Sequence, residues 1–147
     1  MKFLQLLSIV LFPVSILTWQ PDMQTAKKKA VDEHKLILLN FSGSDWCIPC
    51  IRMHQEFFTD EQFQSMADAS FVLLNADFPR TKKKQLEKTA QAKNDALAAA
   101  YNNTGKFPLT LLLSADGKVL QQWEGYNSQD KEKLLADMRQ VIAKYLR

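Results

Sequence analysis

Two continuous apolar stretches stand out along the chain, LILLNF at positions 36–41 and SFVLLNADF at positions 70–78. Runs of this length without polar alternation are typical of strands buried on both faces of a sheet. A third apolar region, 109–126, contains two strand-like runs around Asp116 and Gly117, a dipeptide that favours a hairpin turn. The pattern therefore predicts four strands, of which the last two form a hairpin.

Apolar residues at helical spacing lie between and after these strands. Positions 22–35, 48–58 and 128–147 show this spacing, with Asp22 and Ser128 as candidate caps. TDEQF at 59–63 resembles a helix start, capped by Thr59 or Asp60, and 81–101 has high helix propensity throughout. The predicted order is helix, strand, helix, strand, helix, strand, strand, helix. This order indicates an α/β fold, with a central mixed sheet covered on both faces.

Length and composition limit the classes of protein that fit this pattern. The 147 residues predict one domain with one core, and 46% apolar with 24% charged residues is ordinary for a globular protein. The net charge of +3 is small, and the lysine triplets at 27–29 and 82–84 are interpreted as solvated faces. No long basic stripe is present, so we expect no nucleic-acid partner.

The first twenty residues differ from the rest of the chain. Lys2 precedes an uncharged apolar run from Phe3 to Leu17, a length that suits a signal peptide better than a membrane span of about 20 residues. We predict a signal peptide at 1–20, with a short uncleaved anchor as the alternative, and a folded domain at 21–147. The expected location is the periplasm or another extracytoplasmic compartment.

The motif DWCIPC contains the only two cysteines of the chain, Cys47 and Cys50. Disulfides persist outside the cytosol, but a loop this small constrains the unfolded chain little, so a structural staple is a weak interpretation. A zinc site would need two further ligands. One helical face could present both Cys50 and His54, but His34 shows no recognised ligand spacing. A redox couple is the interpretation that we favour, with no metal bound.

A cysteine at the start of a helix lies where unpaired backbone N–H groups and the helix dipole stabilise a thiolate. Cys47 is therefore predicted to be the attacking thiol. Cys50, one turn inside the helix, is predicted to resolve the mixed disulfide. Pro49 suits the first turn because its missing N–H costs nothing there.

The motifs NFSGSDWCIPC, KFPLTLLLSADGKVL and WEGY, followed by an amphipathic helix, resemble the thioredoxin family from about Asp22 onward. The likeness is greatest to exported bacterial thioredoxin-like proteins with a GSDWCxxC site. It implies a three-layer α/β/α sandwich and thiol–disulfide exchange without a cofactor. It also implies a cis-proline facing the disulfide at Pro108. The substrate-binding residues that it implies are Trp46, Ile48, Pro49, Phe107, Pro108 and Gly125.

Three departures from the family pattern are visible: Asn40, an insertion, and Leu109, which follows the proline where the family often has threonine. The position that often carries a buried acid before the active site falls on Asn40, which cannot act as a base, and Glu56 or water is a candidate replacement. Asp45 is expected to be exposed. About fifteen additional residues fall around 78–95, where they either shape partner choice or form a longer surface helix.

The sequence therefore predicts an exported thiol–disulfide oxidoreductase that acts on protein disulfides. Neither Ile48 nor Pro49 has a side-chain donor or positive charge to stabilise a thiolate, and Asp45 would oppose one, so a reductase or isomerase is favoured over an oxidant. The family resemblance implies a membrane partner that supplies electrons, and we expect a monomer. The alternatives are a non-catalytic peptide-binding module and a metal-binding carrier.

Overall fold

The computed structural model describes residues 17–146, which form one mixed five-stranded sheet with helices on both faces. The strands run in the order β1-β3-β2-β4-β5 across the sheet. β1 and β3 are parallel to β2, whereas β4 is antiparallel to both of its neighbours, β2 and β5. The strands are β1 (Trp19–Gln20), β2 (Leu36–Ser42), β3 (Phe71–Asp77), β4 (Leu109–Leu113) and β5 (Val119–Glu124).

Five α-helices connect and cover these strands. They are α1 (Met23–Glu33), α2 (Ile48–Glu56), α3 (Glu61–Ser70), α4 (Lys88–Tyr101) and α5 (Lys131–Tyr145). Short 3₁₀ turns at Lys82–Lys84 and Ser128–Asp130 precede α4 and α5. The side chains of Asp22 and Asp60 cap α1 and α3 by accepting backbone N–H groups of the first turn, as the sequence predicts.

The central strand β2 is buried along its whole length, and successive side chains point to opposite faces. Leu36 and Leu38 join a core formed with α2, α3 and α5. Ile37, Leu39 and Phe41 join a second core formed with α1 and α4. The three-layer α/β/α sandwich predicted from the sequence is thus confirmed, and each face of the sheet has its own apolar layer.

The order of elements differs from the prediction in two places. The structure has two helices rather than one between β2 and β3, because the chain turns between Phe57 and Asp60 before α3 begins. It also has the short strand β1, which pairs with Leu73 and Leu74 of β3. Two residues are too few for a period-two pattern, and both lie within the predicted leader.

The starts of two helices also differ from the prediction. The helix predicted from position 81 begins only at Lys88, since the chain up to Glu87 forms a 3₁₀ turn and an extended break with no buried side chain. Helix propensity is a weak determinant where no apolar face is buried. Ser128 does not cap a helix; its hydroxyl donates to the Glu56 carboxylate, and α5 starts at Lys131. Within residues 17–146, no helix is both long and apolar enough to cross a bilayer.

Candidate active site

The two cysteines lie at the N-terminus of α2 and form a disulfide, with their Cα atoms 5.2 Å apart. Cys47 is the N-cap residue, and its sulfur accepts the backbone N–H of Cys50 at 3.3 Å. Ile48 and Pro49 occupy the first turn, as the missing N–H of proline allows. The predicted placement of the pair at a helix start is therefore confirmed.

The two cysteines are almost fully buried, whereas the residues between them are exposed. Cys47 and Cys50 have relative accessibilities of 5% and 4%, while that of Ile48 is 64%. Pro49 is also exposed. Ile48 is thus an apolar side chain that projects into solvent beside the disulfide.

An aromatic wall, formed by Trp46, Phe78 and Phe107, adjoins Cys47. The indole N–H of Trp46 donates to the backbone carbonyl of Phe78 at 2.7 Å, and its ring meets that of Phe107 edge-on at 5.4 Å. Phe78 and Phe107 are themselves 5.7 Å apart. Edge-to-face geometry of this kind is favourable beyond the apolar area that it buries. The wall joins the active-site loop to two distant segments of the chain.

Gly43 makes room for this wall. A Cβ atom at Gly43 would lie 2.3 Å from Cε2 of the Trp46 ring, a separation that no side chain tolerates. The glycine in SGSD therefore does more than break the strand: its lack of a side chain allows the indole to lie over the backbone.

Arg80 covers the outer face of the Trp46 ring, with its guanidinium carbon 3.7 Å from the ring centroid. A carboxylate holds this arginine's backbone in place. Asp45 accepts the N–H of Arg80 at 3.0 Å, the N–H of Thr81 at 2.8 Å and the Thr81 hydroxyl at 2.6 Å. These bonds, the Thr81 hydroxyl first, lower the pKa of Asp45 to about 2. The expectation of an exposed Asp45 is wrong, because the residue is half-buried and clamps the 78–81 loop.

A second carboxylate ties the active-site loop to the sheet. Asp77, at the end of β3, accepts the backbone N–H of Ser44 at 2.8 Å and its hydroxyl at 2.6 Å. The Ser42 hydroxyl donates to the same carboxylate at 3.2 Å. Asp45 and Asp77 therefore form reciprocal bridges between the loop after β2 and the loop after β3.

Pro108 precedes β4, and the Phe107–Pro108 peptide bond is cis, as the family resemblance implies. Pro108 is buried, and its carbonyl accepts the backbone N–H of Gly125 at 2.8 Å. Gly125 has a φ of 74°, in the left-handed region that glycine adopts without strain. The structure thus brings Phe107, Pro108 and Gly125 together at the end of the sheet that carries Trp46.

A cavity of about 170 Å³ lies on the other side of the pair, beside Cys50. Polar and apolar atoms both line it, and they come from Asn40, Ser42, Ser44, Cys50, Ile51, His54, Gln55 and Asn75. A cavity of this volume with several polar partners has room for water molecules.

Asn40 is buried in this cavity wall, and both polar atoms of its side chain are hydrogen-bonded. Its amide N–H donates to the Asn75 carbonyl oxygen at 2.9 Å, and its own carbonyl oxygen accepts the Thr110 hydroxyl at 3.0 Å. The position expected for a buried acid is thus next to Cys50, and it carries an amide. Glu56, the alternative acid, does not line this cavity: its carboxylate accepts the hydroxyls of Tyr126 and Ser128.

Several of these residues were not predicted from the sequence. Gly43, Asp77, Phe78, Arg80 and Thr81 acquire a role only because β3 lies beside β2 and their ends meet. The aromatic Phe78 and the adjacent arginine carry no local signal for such a site. Within residues 17–146, no three His, Cys, Asp or Glu side chains are grouped so that they could hold a metal ion.

The fold and the site define a dithiol–disulfide exchange centre on a mixed-sheet sandwich. A family model described as a thioredoxin-like domain matches residues 23–142, and the chain belongs to this family.

Two curated proteins of Chlamydia pneumoniae are similar in sequence. The disulfide bond reductase DsbH is 38% identical over 95 residues, which are 65% of this chain and 55% of that protein. The thioredoxin-related protein DsbJ is 25% identical over 113 residues, 77% of this chain and 32% of that protein. The chain thus spans about half the length of one relative and a third of the other. A solved structure of a DsbH oxidoreductase has a TM-score of 0.74 and 26% identity, covering 88% of this chain and 86% of that one.

Proposed function

We propose that this protein is a thiol–disulfide oxidoreductase that reduces or isomerises disulfides of polypeptides. The observation that carries the proposal is the Cys47–Cys50 pair at the start of α2, with Cys47 in the N-cap position. A thiolate at that position is stabilised by the backbone N–H groups of the first turn and by the helix dipole. The similarity to a protein named as a disulfide bond reductase supports the same class of reaction.

In the proposed reaction the protein enters as a dithiol. The Cys47 thiolate attacks one sulfur of the substrate disulfide, forms a mixed disulfide and releases the first substrate thiolate. Cys50 then loses its proton, and its thiolate attacks the Cys47 sulfur. The second substrate thiol leaves, and the Cys47–Cys50 disulfide forms. Two electrons pass from the protein to the substrate in each cycle.

The geometry supports a substrate groove between the aromatic wall and Pro108. We assign Trp46, Ile48, Pro49, Phe107, Pro108 and Gly125 to this groove. Ile48 is exposed beside the disulfide, and Phe107 reaches the Trp46 ring. An extended polypeptide that lies along the Phe107–Pro108 segment would pair with its backbone, as in strand addition.

The surroundings of Cys47 support reduction over strong oxidation. A strong oxidant stabilises its reduced thiolate heavily, yet here Ile48 and Pro49 offer no side-chain donor. Asp45 has a pKa of about 2 and stays ionised, but the cationic side chains of Arg80 and Lys84 lie in the same region and offset its charge, so Ile48 and Pro49 carry the preference for reduction.

Turnover as a reductase requires a source of electrons. We propose a dithiol donor held at a membrane, and an extracytoplasmic location for the protein.

The leader expected at 1–20 includes Trp19 and Gln20, which pair with β3. Residues 1–16 lie outside the described part of the chain. We therefore place any cleavage before Leu17, which packs against the core formed with α2, α3 and α5. Mass spectrometry of the exported protein measures the N-terminus.

The experiment that tests the proposal is reduction of a model protein disulfide by the purified, pre-reduced protein. Wild type is expected to react far faster than Cys47→Ser, and equal rates would overturn the assignment. Undiminished peptide binding by a Cys47→Ser/Cys50→Ser variant, with no reduction by wild type, would instead identify a binding module. Equilibration with glutathione then gives the reduction potential: about −270 mV indicates a thioredoxin-like reductant and about −120 mV an oxidant.

A further inference from the structure

The segment 78–86 carries four cationic residues and no acid. These are Arg80 and the three lysines of the 3₁₀ turn Lys82–Lys84, and all four are exposed. The sequence alone suggests only a solvated face for such a triplet. Its position in the fold changes that interpretation.

The segment borders the redox pair. The Arg80 guanidinium lies 3.7 Å from the ring centroid of Trp46, the residue that precedes Cys47 in the chain. Asp45 holds the backbone of Arg80 and Thr81 at hydrogen-bond distance, and Lys82 follows directly. The turn is therefore anchored to the active-site loop rather than free to move away from it.

None of the salt bridges seen between described residues includes Arg80 or a lysine of the turn. Lys84 acts on the Asp45 carboxylate only as the last of the causes that lower its pKa. The two carboxylates that bridge the loops at this end of the sheet already accept hydrogen bonds. Asp45 accepts from Arg80 and Thr81, and Asp77 accepts from Ser42 and Ser44.

The lysine triplet at 27–29 provides an internal comparison. Lys28 pairs with Asp32 at 2.6 Å, and Lys29 pairs with Glu33 at 3.7 Å. Lys27 lies against Gly117, in the turn between β4 and β5. That turn is at the end of the sheet where β2 begins, because Leu113 pairs with Ile37. Two of the three lysines of that triplet thus form salt bridges, whereas the lysines beside the disulfide appear in none of the salt bridges seen between described residues.

We propose that Arg80 and Lys82–Lys84 form a basic rim that selects substrates with acidic residues next to the reactive disulfide. This inference rests on the proposed function and adds the substrate class to it. Charges at the rim of an interface act mainly on the rate of encounter, and salt screens them over about 8–10 Å. An acidic flank is attracted to the rim before Cys47 attacks, whereas a basic flank is repelled.

The test uses two synthetic peptides that share one disulfide and differ only in their flanks, three glutamates or three lysines. The second-order rate constant for reduction by the pre-reduced protein is measured at about 20 mM and about 500 mM salt. Wild type is expected to prefer the acidic peptide about tenfold at low salt and about twofold or less at high salt. Equal rates for the two peptides at low salt would overturn the proposed role of the rim. A failure to reduce either peptide would overturn the proposed function.

Two variants with the same change of charge locate the effect. Lys82→Gln/Lys83→Gln/Lys84→Gln is expected to lower the preference to about threefold or less. The same three substitutions at 27–29 are expected to leave it near tenfold. Equal losses in the two variants would mean that net charge, not the rim, sets the preference. A preference unchanged by the first variant, together with weaker binding to vesicles of anionic phospholipid, would identify a membrane contact and overturn the proposal.

Discussion

The two sulfurs of the pair lie between unlike regions of the molecule. The Cys47 side is an aromatic wall formed by loops, where Trp46, Phe78 and Phe107 meet. The Cys50 side is a cavity whose lining includes the amides of Asn75 and of the buried Asn40 in the central strand. The second region has room for water next to a cysteine. Under the proposed function, docking of the substrate and proton transfer from Cys50 would take place in separate parts of the structure.

The largest expected effect separates the two cysteines themselves. Cys47→Ser should lower the reduction rate at least about a thousandfold, because the attacking thiolate is lost. Cys50→Ser should still attack, yet accumulate a mixed disulfide that mass spectrometry detects under non-reducing conditions. A mixed disulfide in Cys47→Ser rather than in Cys50→Ser would reverse the two assigned roles.

Asn40→Asp probes the cavity side. A carboxylate beside Cys50 would accept its proton, so resolution of the mixed disulfide in single-turnover experiments should become about tenfold faster near pH 7. Burial raises the pKa of such a carboxyl above its unfolded value. Below the unfolded pKa the carboxyl is neutral in both the folded and the unfolded state, so it is tolerated. As pH rises through the folded pKa, ionisation of the buried group lowers the free energy of unfolding by about 1–3 kcal/mol.

Urea unfolding of Asn40→Asp and wild type at pH 4 and pH 8 measures this loss. Asn40→Ser is the matched control, since it disturbs the same hydrogen bonds to Asn75 and Thr110 without adding a charge. The cavity would have no role in proton transfer if Asn40→Asp left the resolution rate at the wild-type value.

Gly43→Ala probes the wall side. The new methyl group would lie 2.3 Å from the Trp46 ring, so the indole must move and lose its bond to the Phe78 carbonyl. We expect a loss of about 1–3 kcal/mol in unfolding free energy and a changed tryptophan fluorescence spectrum. In Gly105→Ala the methyl group meets nothing within 4 Å, so only left-handed backbone strain of about 1–2 kcal/mol applies. An unchanged spectrum in Gly43→Ala would show that the wall does not depend on the glycine.

Asp45→Asn should have the smallest effect, and it depends on pH. The pKa of Asp45 is about 2 in the folded protein against an ordinary value of 3.8. Its contribution is therefore fully present above pH 4 to 5, and it is lost as pH falls through 3.8 toward 2. The urea midpoints of wild type and Asp45→Asn should differ at pH 6 and converge near pH 2.

Asp22 offers a matched control, because its pKa is also lowered to about 2. The first cause is the hydrogen bond from the backbone N–H of Thr25, at the start of α1 and outside the active-site loop. Asp22→Asn should show the same convergence at acid pH. A constant midpoint difference for Asp45→Asn from pH 6 to pH 2 would contradict the clamp.

Much of the site on the Cys50 side could be predicted from local sequence. Cys47, Pro49 and Cys50 lie within one turn, and helix-start chemistry depends on neighbours along the chain. The significance of Asn40 followed from the family resemblance, which implies a buried acid in the strand that leads into the motif. The residue that completes its hydrogen bonding, Thr110, is seventy positions away and could not be inferred.

The amino-acid sequence by itself determined the four long strands, the helix caps at Asp22 and Asp60, and the redox pair, because periodicity and capping act over a few residues. It overestimated the helix before Lys88, where propensity was not supported by burial. Tertiary structure alone decided the wall, the carboxylate bridges and the basic rim. These depend on β3 lying parallel to β2, which brings Ser42 opposite Asp77 and so places the 78–84 segment beside Cys47. Contacts between residues thirty or more positions apart have no periodic signature in the chain.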